Sequence, residues 1–156
     1  MPATELTVRK TLTVQAPQAH CFQVFTEHMT AWWPIDSHKI GKSPVEAIVV
    51  EPRAGGRWFE RGVDGVECDW GRVTAYEQPT RLALDWQLTP EFAYDPNFHS
   101  PIEVLFIGES ATSTRIEFEH RIDAFGDKAA SMLPILASDG GWFGILVRFV
   151  QQAQAA

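Results

Sequence analysis

The closing run from Asp139 onward constrains this chain more than any other stretch. Trp142, Ile145, Leu146, Phe149, Val150 and Ala153 recur at i, i+3, i+4, i+7, i+8 and i+11, one continuous apolar face at the helical period. Arg148, Gln151, Gln152 and Gln154 fall off that stripe. Burying its five large side chains at ~1.5–3 kcal/mol each gives a gross drive on the order of 10 kcal/mol, so the helix must dock on a complementary surface. Asp139 stands where a capping side chain belongs, after the break Ser138-Asp139-Gly140-Gly141, and 126–137 reads as an earlier helical piece of the same region.

What precedes this region supplies a sheet. Residues 7–15 alternate, with Val8, Lys10, Leu12 and Val14 on one side and threonines and Arg9 on the other, as a strand does. Pro17 suits the first turn of a helix whose buried side is Ala19, Phe22, Val24, Phe25 and Met29. Segments 45–51 and 57–61 then form a hairpin across the turn 52–56. Next come 67–76, read as the longest strand, and 82–88, which alternates cleanly. After a loop over 89–101, segments 102–107 and 114–122 follow, joined through Gly108-Glu109-Ser110. Intervals this short hold no crossover helices, so neighbouring strands run antiparallel. The expectation is one α+β domain over 1–156, a curved antiparallel sheet whose concave side receives the C-terminal helix.

Charge and composition narrow the function. A net charge of -7 with scattered Lys and Arg argues against nucleic acid and anionic membrane as partners. No uninterrupted stretch of about 18 apolar residues marks a membrane span, and Met1-Pro2-Ala3-Thr4-Glu5 lacks the basic start of a leader. Cys21 and Cys68 belong to no redox or metal pattern, which reads as two reduced thiols in a cytoplasmic protein. His20, His28, His38 and His99 show no zinc-type spacing, so neither a metal nor a cofactor is expected. Gly140, Gly141 and Gly144 precede a helix without a following Lys-Ser/Thr, so close packing explains them better than phosphate binding. No nucleophile stands out among Ser110, Ser113, Ser138, Cys21 and Cys68.

Particular words in the chain carry more. They are Val24-Phe25-Thr26 with Trp32-Trp33-Pro34; Glu51-Pro52-Arg53-x-Gly55-Gly56-Arg57-Trp58-x-Glu60; Trp70-Gly71-Arg72-Val73; Pro79-x-Arg81-Leu82 with Trp86; Glu119-His120-Arg121; and Gly140-Gly141-Trp142. In this order, nearly end to end, they resemble the helix-grip (START/Bet v 1-like, SRPBCC) superfamily. The branch is the one related to the C-terminal domain of the activator of Hsp90 ATPase. The resemblance implies a seven-stranded sheet gripping a long C-terminal helix around a cavity for lipids, aromatic metabolites or other apolar ligands. It leaves three roles open. One is a non-catalytic carrier of a small hydrophobic or aromatic ligand. The second is a co-chaperone with an Hsp90-type partner, set lower because 156 residues leave no room for the activator's separate N-terminal domain. The third is an acid–base enzyme of polyketide cyclase type.

The expected cavity set is Trp33, Trp58, Trp70, Trp86, Phe118, His120, Trp142 and Leu146. Trp33 and Trp142 lead it, one following the first helix into a loop and the other opening the gripping helix. Trp86 has the alternative of packing with Leu82, Leu84 and Leu88. Alternation puts Ile116, Phe118, His120 and Ile122 on the inward face, where His120 is either a satisfied core residue, a ligand contact or a general base. Glu60 and Asp85, if inward, need a partner such as Arg57 or Arg72. The loop 89–101 holds Phe92, Tyr94, Phe98 and His99 among prolines. It gates the cavity, contacts a second copy in a homodimer, or tucks into the sheet edge.

Overall fold

A computed structural model describes residues 6–155; Met1–Glu5, read above for a leader, lie outside them. Strand β1 (Thr7–Val14) leads into α1 (Gln18–Glu27) and the single turn α2 (Met29–Trp32). Six strands follow: β2 (Val45–Val50), β3 (Arg57–Gly62), β4 (Glu67–Glu77), β5 (Arg81–Trp86), β6 (Ser100–Ser110) and β7 (Ser113–Arg121). A 3-10 segment (Asp123–Lys128), α3 (Ala129–Ala137) and α4 (Trp142–Gln154) complete the chain. The sheet order is β1-β7-β6-β5-β4-β3-β2, every neighbour antiparallel. The six-strand meander thus has β1 added at the end of the last strand, and α4 lies in the concave side, the helix-grip arrangement.

The gripping helix buries the stripe read from its period. Trp142, Ile145, Leu146, Phe149 and Ala153 are buried, Val150 is half-buried, and Arg148, Gln151, Gln152 and Gln154 are exposed. Its start differs from the expectation. The N-cap residue is Gly141, and no side chain caps the helix. A turn closed by Gly141 N–H on the Ser138 carbonyl at 2.9 Å brings the backbone of Asp139, not its carboxylate, to the helix start. There a Cβ on Gly144 would sit 1.8 Å from the Asp139 carbonyl oxygen. By length and composition alone, residues 123–154 contain a window apolar enough on average to cross a membrane, although no stretch of that length is uninterruptedly apolar. The run is not one rod, because Gly126 breaks the helical geometry at φ 62 and the turn at 138–141 breaks it again.

Other departures have local causes. Helix α1 begins after Pro17, which is its N-cap residue, and Ala19 is exposed while Cys21 and Thr26 turn inward with Phe22 and Phe25. Strand β6 starts at Ser100 rather than Ile102 and runs through Gly108-Glu109-Ser110, which makes it as long as β4. Pro101 is tolerated because the ladder to β7 begins one residue later, at Ile102. The 82–88 segment, of which β5 takes in the residues up to Trp86, does not alternate cleanly: Ala83 and Gln87 are buried along with Leu82, Leu84, Trp86 and Leu88. On the outer face Phe59 is also buried, since the guanidinium groups of Arg57 and Arg61 stand 4.0 and 5.7 Å from its ring centre.

The aromatics of the interior form two groups along its length, joined where the rings of Trp32 and Trp33 stand 6.1 Å apart. At one end Phe22, Phe25, Trp32, Phe106 and Phe149 interlock at ring-centre distances of 4.9–5.6 Å and lock α1 and α4 to β6. At the other end Trp33, Trp58, Trp70, Trp86 and Trp142 form a second cluster at 5.0–6.5 Å. Strands β4 and β5 close under this second cluster because Gly71 has no side chain; a Cβ there would lie 1.8 Å from the Asp85 carbonyl oxygen. Gly71→Ala is therefore expected to lower stability by about 2 kcal/mol or more, read as a fall in Tm. An unchanged Tm would mean that the two strands part without penalty.

Candidate functional site

A cavity of about 330 Å³ opens at the tryptophan end of the grip. Its floor is Trp33, Trp70, Trp86 and Trp142, and its walls come from the loop 37–40, from Leu88 and Phe92, from Ile135 and Leu136 of α3, and from Ile145 of α4. The floor indoles are at most 6% exposed, so the deep interior is filled and the open volume lies above it, at the mouth. Each floor indole N–H is engaged by a partner within the protein. Trp33 donates to the His38 carbonyl at 2.8 Å, Trp70 to Glu60 Oε1 at 2.9 Å, Trp86 to the Leu88 carbonyl at 2.9 Å and Trp142 to His120 Nδ1 at 2.9 Å. What remains for an occupant is carbon surface.

The rest of the expected set stands behind this floor. Trp58 is fully buried, 5.5 and 5.9 Å from the ring centres of Trp70 and Trp86; Phe118 backs Trp142 at 4.6 Å; Leu146 is fully buried. His120 is also enclosed. Its Nδ1 accepts from Trp142, its Nε2 lies 2.8 Å from Ser100 Oγ, and burial pushes its pKa down to about 3. A neutral imidazole with both nitrogens engaged behind Trp142, it does not line this cavity. Trp86 does not confine itself to its strand neighbours; it packs on Trp58, Trp142 and His120.

Both carboxylates find partners other than the expected arginines, and only Glu60 is turned inward, Asp85 lying half-buried on the other face of β5 from Leu84 and Trp86. Glu60, 1% exposed, accepts from the N–H groups of Ile40 at 2.6 Å and Gly41 at 3.0 Å as well as from Trp70. It thereby pins the irregular 34–44 segment under the cavity wall. Asp85 accepts from the Ser100 N–H and pairs with His99. Arg57 is held instead by Asp69 and Glu67 on the outer face.

The rim is the polar part. Ser37 Oγ and His38 Nδ1 are 2.7 Å apart, and His38 Nε2 is 2.7 Å from the Gly140 carbonyl, so loop 37–38 is tied across the mouth to the turn before α4. Lys39 contributes the one charged side chain of the lining, and its ammonium group is engaged by the carbonyls of Gly41 and Ser43. The 89–101 loop splits among its readings. Phe92 is 49% exposed at the cavity mouth, whereas Phe98 stacks on Phe125 at 5.4 Å and Tyr94 packs against the core. Burial raises the thiol pKa of both Cys21 and Cys68, which favours inert thiols. Among the described residues no group of three His, Cys, Asp or Glu side chains is placed to hold a metal ion.

Sequence reasoning missed the walls. Ile145 sat on the helical stripe beside Leu146, and Phe92 was already singled out. Residues 37–40 gave no signal, because their position depends on a carboxylate twenty residues away.

Comparison with known proteins gives these features a context. The family model described as Activator of Hsp90 ATPase homolog 1-like protein matches residues 15–151. Among solved structures, an anthrahydroquino-γ-pyrone synthase, Txn09, is 35% identical over 97% of this chain and 99% of its own, with TM-score 0.66. The self-sacrificing resistance protein CalC from Micromonospora echinospora is 27% identical over 96% and 94%, with TM-score 0.70. Protein NE0264 from Nitrosomonas europaea, 12% identical over 99% and 98% with TM-score 0.65, shares the fold. A search of curated proteins returned no match.

Proposed function

The chain belongs to the activator of Hsp90 ATPase homolog 1-like family, and from that premise we propose that it binds a small, flat, mainly apolar aromatic molecule at the mouth of its grip. The observation that carries this is the floor of four indoles whose N–H groups are all satisfied internally. Such a surface recognises by area and ring stacking, with few hydrogen-bond demands on its occupant. Polar substituents would point outward, to Ser37, His38 and the rim. The relative named as an anthrahydroquino-γ-pyrone synthase supports a fused-ring ligand class.

Titration with 1,8-dihydroxyanthraquinone, followed by quenching of tryptophan fluorescence and by calorimetry, tests the reading. Saturable one-to-one binding is expected. Replacing the exposed mouth residues in Phe92→Ala/Ile135→Ala should weaken it by about tenfold, roughly 1.4 kcal/mol, with little change in Tm. No saturable binding, or binding indifferent to the double change, would sink the proposal.

A synthase-like reaction is the second reading, favoured by the 35% identity to Txn09. The acid–base group it would use is His38 at the rim rather than the enclosed His120. Turnover of a bound polyketide substrate that survives His38→Ala unchanged would remove that assignment.

A further inference from the structure

Trp142 is the floor residue that joins the gripping helix to the tryptophan cluster. It opens α4 directly after Gly140-Gly141, where the Gly141 N–H bonds the Ser138 carbonyl and a Cβ on Gly141 would lie 2.3 Å from the Leu136 carbonyl oxygen. Its ring is flanked by Phe118 at 4.6 Å, Trp33 at 5.7 Å and Trp86 at 5.9 Å. Contacts of this kind enclose the carbon surface of the indole but supply no partner for its one polar atom. What fixes the polar edge of the ring is the hydrogen bond that its Nε1–H donates to His120.

The polarity of the hydrogen bonds behind it is fully determined. The Arg121 carbonyl can only accept, so the Ser100 hydroxyl, 2.5 Å away, must donate to it. Ser100 Oγ then accepts from His120 Nε2 at 2.8 Å, which places the imidazole proton on Nε2. Nδ1 is left with its lone pair, and that lone pair takes the Trp142 Nε1–H at 2.9 Å. A donor-only indole at one end and an acceptor-only carbonyl at the other leave one consistent arrangement. Ser100 and His120 are both 0% exposed, and neither reaches the cavity.

We infer that Ser100 and His120 form a positioning relay that fixes the tautomer of the imidazole and, through it, the orientation of the Trp142 indole at the cavity floor. The consequence for ligand affinity rests on the binding proposed above; the consequence for the indole does not. Three register facts make the relay a product of the sheet. Ser100 pairs with Trp86 across β5 and β6, His120 pairs with Ile102 across β6 and β7, and Val8 of β1 lies opposite His120 on its other side. The relay therefore couples β5, β6 and β7 to the first residue of α4.

The test compares His120→Asn, which keeps an oxygen acceptor near the Nδ1 position, with His120→Leu, which fills the space without one, and with Ser100→Ala, which frees the tautomer. Two readouts are taken: the Trp142 indole N–H resonance with its exchange protection, and the affinity for 1,8-dihydroxyanthraquinone. His120→Leu should lose the protected resonance and bind at least tenfold more weakly. His120→Asn should keep both within about threefold, whichever variant has the higher Tm. Ser100→Ala should fall between, with imidazole nitrogen shifts showing both tautomers. A His120→Leu variant that retains the protected indole signal, or losses of affinity that follow Tm across the three variants, would overturn the relay. If the wild type does not bind the anthraquinone, the ligand proposal fails by itself, and the indole resonance in His120→Leu still decides the relay.

Discussion

Glu60→Ala should destabilise the domain by about 3–5 kcal/mol, the largest single-residue effect expected here. The carboxylate receives three hydrogen bonds in a site that is 1% exposed, from two loop N–H groups and the Trp70 indole. Its removal strands all three donors, each at ~1–3 kcal/mol, with partial relief as the loop relaxes. Glu60→Gln keeps two acceptor contacts and should cost about half as much. Gly41 belongs to the same arrangement, since a Cβ there would approach Glu60 Oε2 to 2.8 Å. Urea unfolding gives the stability and anthraquinone titration the site. A loss below about 1 kcal/mol in Glu60→Ala would mean that the loop does not depend on this residue.

Acidification should act through His120. The unfolded chain protonates this histidine near its ordinary pKa of about 6.5, whereas burial holds the folded value at about 3. Between these values the unfolded state carries a proton that the folded state refuses, so stability rises with pH and is lost as pH falls. The contribution is fully favourable above pH ~6.5, decreases by about 1.4 kcal/mol per pH unit below it, and levels off under pH ~3. By pH 4 the loss is on the order of 3 kcal/mol. Urea unfolding at pH 7 and pH 4 should therefore show wild type and His120→Leu drawing together or crossing, whatever their order at neutral pH. Parallel losses in the two proteins would sink this account. Glu67 and Asp64, held below the usual carboxylate range by Arg57 and Ser43 respectively, act in the same direction in both proteins and cancel in the comparison.

Glu60 and His120 also mark where sequence reasoning stops. The inward position of His120 follows from alternation along β7, where Ile116, Phe118 and His120 are buried between half-exposed neighbours. The stripe on α4 is legible for the same reason: a long periodic segment states its own buried face. What His120 touches is another matter. Ser100 comes from a strand whose start was obscured by Pro101, and Trp142 comes from a helix packed across the sheet. Glu60 was correctly suspected of needing a partner, yet it found backbone N–H groups, which every residue carries and no sequence pattern announces. The Asp139 side chain was expected at a cap that the Gly141 and Gly144 backbone closes instead. Period reveals which side of an element is buried; it does not reveal which two buried sides meet.

The division of the interior into a phenylalanine end and a tryptophan end has an evolutionary consequence. The interlocked Phe22, Phe25, Phe106 and Phe149 tie α1 and α4 to the sheet without lining the cavity. Substitutions among the mouth residues can accumulate while that anchor stays unchanged. Under the binding proposed above, the exposed mouth residues Phe92 and Ile135 would alter the fit of an occupant without loosening that anchor.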